Sequence, residues 1–412
     1  MAASMIFATP VDSPRMNVKA IFAKGEVQQM YGMDSVELLK GVVCHVGPLS
    51  VALRSGNWRG WKSTASRTLG DADVCATMVA KWNRPYNILF FGSDEFSIAS
   101  LRKLREEQVS NPGSIISHIE VVTPPDNPRN KKAEVPLKEF AVKEGLMVHS
   151  APPKPLRDWK IPNPSYPAPF DLAVVVSFGY FLPRRVIGAF PSGAFNIHPS
   201  LLPRYRGAAP IQYAILNDDK ETGVSIIELD PQRFDVGGIL KQTRIEVPPK
   251  VFFKDLHDAL AELGAKDMLE TIRELDECQA QARPQNDGEA SHAPKIPKAM
   301  GVVDWQLPRE RIYRLHRAIG YRIPLHTTFR GRRVQLLALD DPDSATGPGK
   351  KTPNDLSPGA LAFDDEYHTL FIMCGDGWLA CSKLKVEGKR ALGIRDFVNG
   401  YQLADAAREF FK

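Results

Sequence analysis

No stretch of this chain is long and apolar enough to cross a bilayer. The longest charge-free apolar stretch near the start, residues 41–53, is 13 residues, against the roughly 20 a spanning helix needs. Cysteine is scarce. The five, at positions 44, 75, 278, 374 and 381, form no Cys-x-x-Cys pair, which argues against a disulfide scaffold or zinc ribbon and fits a reducing compartment. Charge of one sign is also lacking. The net charge is +5, of which residues 1–86 supply ten Lys/Arg against six Asp/Glu, leaving 43 against 42 in the remainder. Any nucleic-acid-facing surface is therefore a local patch. No internal repeat is present. Gly92 is not part of a G-x-G-x-x-G, which weighs against a dinucleotide fold, and Leu201-Leu202 after Ser200 breaks the Gly-x-Ser-x-Gly pattern of a hydrolase elbow.

What is present is 412 residues, 43% hydrophobic and 25% charged, the composition of a soluble globular chain of two or three domains. Residues 1–86 show no sustained apolar period. Residues 41–70 carry four basic residues, Arg54, Arg59, Lys62 and Arg67, six Ser/Thr and no acid, the signature of an organelle transit segment, with a disordered extension as the alternative.

Order is expected from Asn87. The run Ile88-Leu89-Phe90-Phe91-Gly92 reads as a buried strand, followed by a helix with a polar start at Ser93-Asp94-Glu95. Further strands are expected at 114–122, 172–176, 194–197 and 224–229, and helices at 136–144, 209–216 and 255–275. This alternation implies an α/β domain over 87–277 with a mostly parallel, doubly covered sheet. Residues 152–169 hold seven prolines in 18 positions and read as an irregular connection. Residues 278–300, rich in Gln, Ala, Pro and Lys, read as a linker. From 301 to 412 an opening helix at 309–319 precedes short strands at 326–330, 333–339, 359–363, 370–374 and 378–386. Their Gly-rich turns predict a small β-barrel. Residues 341–358 are expected to form a disordered loop between strands.

The stretch that carries chemistry is Asn196-Ile197-His198-Pro199-Ser200-Leu201-Leu202-Pro203-Arg204-Tyr205-Arg206-Gly207. Alternation puts Asn196 and His198 on one face of a strand, and Pro199 ends the ladder. Two polar groups then meet at a strand's carboxyl end, where open α/β sheets bind ligands. An amide can donate to a developing oxyanion, and an imidazole can exchange protons near neutral pH. Taken alone, His198 reads more readily as a hydrogen-bonded strand-end histidine, and Asp235, beside Gly237-Gly238, as a turn aspartate.

The run resembles the Asn-x-His…Ser-Leu-Leu-Pro-x-x-Arg-Gly signature of the formyltransferase family that uses 10-formyltetrahydrofolate. The continuation Ala208-Ala209-Pro210-Ile211-Gln212 is more similar to the branch acting on charged initiator methionyl-tRNA than to folate hydrolases or sugar-nucleotide formyltransferases. The resemblance extends from Asn87 to the C-terminus. It implies a Rossmann-like catalytic domain followed by an OB-like C-terminal barrel, with Asn196, His198 and Asp235 as the catalytic residues. Asp235 falls in Phe234-Asp235-Val236-Gly237-Gly238, where the family usually has Leu-Asp-Thr-Gly and then an acid; Val236 and Gly238 depart from that pattern. The formyl donor is expected against Phe178, Gly179, Tyr180, Leu182 and Pro183, and against Ser200, Leu201, Leu202 and Pro203. No metal is required.

For the tRNA, the resemblance points to the loop holding Arg129, Lys131 and Lys132, to Arg206, and to the C-terminal domain. Val303-Asp304-Trp305 matches the opening of that domain, whereas Gly320-Tyr321-Arg322-Ile323-Pro324 departs from the bacterial turn. Residues 309–333 contain eight arginines against one acid, and the three-residue spacing of Arg311, Arg314 and Arg317 suggests one helix side facing successive phosphates. The expected enzyme formylates initiator methionyl-tRNA as a monomer, without a membrane, in the mitochondrial matrix. The alternatives are a folate hydrolase, a small-amine formyltransferase, or a paralogue that only binds folate or RNA.

Overall fold

The computed structural model describes residues 85–126, 134–344, 347–348, 356–364, 368–403 and 410–412. Before these, only the backbones of five short strands within residues 6–53 are described: Ile6–Thr9, Asn17–Ile21 and Val27–Met30 form one antiparallel sheet, and Val42–Val46 pairs with Leu49–Leu53. Half of the expected loop at 341–358, residues 345–346 and 349–355, lies outside the described residues. Residues 85–412 form one unit.

That unit opens with β1 (Tyr86–Gly92), whose uninterrupted apolar run is buried on both sides. Alternation sends Ile88 and Phe90 into one hydrophobic layer and Leu89 and Phe91 into the other. Asp94 caps α1 (Glu95–Ser110) by accepting from the Ser97 amide at 3.3 Å. Then follow β2 (Ile116–Thr123), α2 (Pro136–Lys143), β3 (Met147–Ser150), β4 (Leu172–Val176), α3 (Arg184–Ile187), β5 (Ala194–His198), α4 (Pro210–Leu216), β6 (Glu221–Glu228), β7 (Ile239–Glu246) and α5 (Phe253–Arg273). The sheet order is β7-β6-β5-β4-β1-β2-β3; β5 through β3 run parallel and β6 and β7 antiparallel. The order reverses between β1 and β4, the switch point at which such sheets open a crevice.

The proline-rich connection is fastened to the far edge of this sheet. Glu120 on β2 is fully buried and accepts from His118 Nε2 at 2.9 Å, His149 Nε2 at 2.5 Å, and the Ser165 amide and hydroxyl at 2.6 and 2.8 Å. Burial alone would raise its pKa, but these four bonds prevail and bring it down to about 2 from 4.5. The folded value lies below the unfolded one, so this stabilisation is complete above pH 4.5 and is lost as pH falls through about 2. We expect Glu120→Gln to destabilise the protein by roughly 1–3 kcal/mol at pH 7. Urea unfolding of both proteins between pH 7 and 3 should show the gap closing towards acid; a gap independent of pH would exclude this role.

After α6 (Leu275–Ala280) the chain crosses back over the α/β domain before entering α7 (Arg309–Ile319). Residues 278–300 are thus not a loose linker. Ala293 is fully buried, and this segment bonds to the loop that follows β5: the Arg206 amide donates to the Ser291 carbonyl at 2.8 Å, and the Ala293 amide donates to the Arg206 carbonyl at 2.8 Å. The second sheet comprises β8 (Leu325–Phe329), β9 (Arg332–Leu339), β10 (Leu361–Asp364), β11 (Thr369–Cys374), β12 (Gly377–Val386) and β13 (Ala391–Gly393), then α8 (Ile394–Tyr401). Its order is β8-β9-β12-β11-β10, all antiparallel. Residues 410–412 close the gap between the two edge strands. Lys412 exchanges both backbone bonds with Thr328 at 2.9 Å, and the Phe411 amide donates to the Gly359 carbonyl at 2.8 Å. The barrel read from the strand pattern therefore takes its last staves from the end of the chain.

The barrel docks through α7, which packs on α4. Phe253 and Tyr321 stack with ring centroids 4.0 Å apart, Arg314 pairs with Asp218 at 3.4 Å, and Arg317 donates to the Val251 carbonyl at 2.9 Å.

Candidate active site

Asn196 and His198 lie on β5 as alternation requires, two residues apart and both lining a cleft of about 530 Å³ formed by the carboxyl-end segments of β1, β4 and β5 and by residues 227–230 of antiparallel β6 and the turn after it. The volume is ordinary for a small-molecule site. His198 is buried, and its Nε2 lies 2.9 Å from the carbonyl oxygen of Tyr205. A carbonyl only accepts, so Nε2 carries a hydrogen and Nδ1 is the proton-exchanging atom. Tyr205 adopts a left-handed backbone, φ 62°, in the turn that brings this carbonyl to the ring.

Facing Nδ1 at 3.5 Å is Oδ1 of Asp235, whose Oδ2 accepts from the Gly207 amide at 2.9 Å. Two segments of the sequence, 196–207 and 234–238, thus converge on one imidazole. A bulge after Ile226 ends the regular pairing of β6 and β7 just before the Asp235 loop. Gly237 is required there: a Cβ would lie 1.9 Å from the Glu228 carbonyl oxygen. Gly207, at φ 122°, similarly leaves no room beside the Ala293 carbonyl.

The apolar wall follows β4. Ser177 turns the chain at φ 49°, its carbonyl held by the Ser93 hydroxyl, and Phe178, Gly179, Tyr180, Phe181 and Leu182 then line the cleft. The Lys154 ammonium, from the proline-rich connection, donates to the Gly179 carbonyl and lies over the Tyr180 ring at 4.5 Å. Pro183 is not among the lining residues and precedes α3. Ser200, Leu201, Leu202 and Pro203 are not in the lining either. Their work is internal: the Ser200 hydroxyl donates to the Arg204 carbonyl at 2.6 Å, and Ser225 and Gln242 secure the Ser200 and Leu202 carbonyls at 2.7 and 2.9 Å. These four residues shape the turn that presents Tyr205 and Gly207.

Arg206 and Arg317 also depart from expectation. Arg206 is buried, donating to Gln285 Oε1 at 3.0 and 2.7 Å and pairing with Asp287 at 2.8 Å. Arg317 is buried and Arg314 is engaged with Asp218, leaving Arg311 as the exposed member of that helical set. Three residues on a helix advance about 300°, so each step drifts roughly 60° from the last, and two steps carry a side chain out of solvent into the apolar side. Arg322, Arg332 and Arg333 are exposed beyond the helix. Arg129, Lys131 and Lys132 lie outside the described residues.

The cleft holds groups that the sequence motif did not signal. Asp94, the α1 cap, and Glu228, at the end of β6, both line it, and burial raises both their carboxyl pKa values. Phe234 is 57% exposed at the cleft mouth, edge-on to Phe181 at 5.1 Å. Among the described residues no group of His, Cys, Asp and Glu side chains is disposed to hold a metal ion.

Residues 86–272 match the family model described as Formyl transferase, and residues 295–402 that described as Formyl transferase, C-terminal domain. The chain is 35% identical over 364 residues to the mitochondrial methionyl-tRNA formyltransferase of Homo sapiens, covering 87% of this chain and 88% of that protein. It is 37% identical over 319 residues to the mitochondrial enzyme of Bos taurus, covering 77% and 78%. To the methionyl-tRNA formyltransferase of Caldanaerobacter subterraneus it is 32% identical over 326 residues, covering 77% of this chain and 98% of that one.

Proposed function

This chain belongs to the formyl transferase family, and we propose that it transfers a formyl group from 10-formyltetrahydrofolate to the amino group of initiator methionyl-tRNA in the mitochondrial matrix, acting as a monomer. The observation that carries the reading is the meeting of Asn196, His198 and Asp235 at one end of a cleft whose other wall is apolar and aromatic. The relatives at 35% and 37% identity, both named as mitochondrial enzymes, support the substrate and the compartment. Between Phe178 and Leu182 the wall offers aromatic rings and backbone groups against which the donor's ring system can pack and pair.

The donor supplies a formyl group on a nitrogen; the protein's own groups do the rest. Asn196 donates a hydrogen bond to the formyl oxygen as it gains negative charge, in a pocket that needs no reorganisation. His198 accepts the proton of the attacking amine at Nδ1, because Nε2 is committed to Tyr205. Asp235, beside Nδ1, favours the resulting imidazolium and fixes the ring. The same proton then goes from Nδ1 to the departing nitrogen, so proton balance is kept with no outside donor. The buried turn beneath His198 excludes water from the far side of the ring.

The test is a discontinuous assay of the purified full chain with 10-formyltetrahydrofolate and one of three acceptors: charged initiator methionyl-tRNA, charged elongator methionyl-tRNA, or none. Formyl transfer confined to the initiator species is expected. RNA-independent release of formate would replace this reading with a hydrolase, and folate binding without turnover with a binding protein.

A further inference from the structure

We propose that Gln285, in the segment joining the two domains, is a positioning residue that holds Asp235 against His198. The inference rests on the catalytic reading above. Asp235 has φ 58°, a left-handed conformation that a non-glycine residue keeps only where its surroundings enforce it. The Gln285 amide provides that enforcement. Its Nε2 donates to the carbonyl oxygens of both Asp235 and Gly237, each at 2.9 Å, and so bridges the backbone on either side of Val236. Its Oε1 accepts from Arg206 Nε at 3.0 Å and Nη2 at 2.7 Å.

Two donors and two accepted bonds use the full capacity of one carboxamide. The residue thereby ties together the two loops that build the site. One carries Tyr205, Arg206 and Gly207, which hold His198 Nε2 and Asp235 Oδ2; the other carries Asp235 itself. Arg206 is in turn anchored by Asp287, two residues beyond Gln285. Val236, which lacks the hydroxyl usual in the family at that position, sits between the two bridged carbonyls.

Chemistry singles out the amide. A glutamate at 285 would keep the Arg206 contact and strengthen it by charge, but it has no hydrogen to donate and would set an anion against two carbonyl oxygens. Gln285→Glu thus separates support of Arg206 from support of Asp235, and Gln285→Leu removes both.

The experiment measures kcat and KM for the folate donor and methionyl-tRNA in wild type, Gln285→Glu, Asp235→Asn and the double variant, all as full chains. We expect Gln285→Glu to lower kcat at least about tenfold with both KM values within about threefold. In the Asp235→Asn background the further loss should be under about twofold, because the residue acts through Asp235. An equal loss in both backgrounds, or a Gln285→Glu kcat within twofold of wild type, would overturn the assignment. As a readout independent of turnover, the His198 imidazole resonances in selectively labelled protein should shift in the same direction in Gln285→Glu as in Asp235→Asn. Resonances that stay in place would equally overturn it. Absence of wild-type formylation of methionyl-tRNA would instead reject the functional reading and leave the imidazole resonances to decide the role of Gln285.

Discussion

Replacing Asp235 with Asn is expected to lower kcat for formyl transfer by about a hundredfold to ten-thousandfold with the fold intact. The substitution is isosteric, so the cleft keeps its shape. What changes is charge and hydrogen-bond polarity. Asp235 accepts from the Gly207 amide on one oxygen and faces His198 Nδ1 with the other. An asparagine can keep its carbonyl towards Gly207 only by turning its NH₂ towards Nδ1, where two donors would then meet whenever the imidazole is protonated. The negative charge that favours imidazolium at the moment of proton transfer is gone as well. Steady-state kinetics with saturating donor and methionyl-tRNA, alongside a thermal melt, decides the matter. A kcat within about threefold of wild type would remove Asp235 from the reaction.

Asn196→Ala is expected to lower kcat by about a hundred- to a thousandfold, the usual consequence of losing one preorganised donor to a developing oxyanion. The KM for the folate donor should change little, because the bond strengthens only as charge develops. The residue sits in the body of β5, paired with Val175 on one side and Ile227 on the other, so truncation beyond Cβ leaves the ladder undisturbed. Asn196→Asp distinguishes donation from mere polarity. A carboxylate has nothing to donate and would repel the same charge, so it should be at least as damaging as alanine. Activity retained in Asn196→Asp would mean that the donor to the formyl oxygen lies elsewhere in the cleft.

Much of this protein was legible from local pattern. Unbroken apolar runs such as 88–92 and 172–176 read as strands covered on both faces, and their alternation with helices implies a mostly parallel sheet. Asn196 and His198 were legible because a period of two puts them on one side of a strand whatever surrounds it. The site carboxylate was harder to see. An aspartate before Gly-Gly reads as a turn until the family pattern marks it, because its partner His198 is 37 positions away. The wall followed the same logic in part: Phe178 to Leu182 line the cleft, whereas Ser200 to Pro203, contiguous with Asn196 and His198 in sequence, do not.

The burial of charged side chains could not be read this way, because it depends on what arrives from elsewhere in the chain. By itself the sequence determined the α/β alternation, the strand-end Asn-x-His pair and the short-stranded second domain, all products of neighbouring residues and their period. Tertiary structure alone decided that Arg206 and Arg317 turn inward, that residues 410–412 close the barrel, and that an apparent linker carries Gln285 to Asp235, fifty positions away. Hydrogen bonds between distant segments have no periodicity to announce them; they exist only once packing has brought donor and acceptor within about 3 Å of each other.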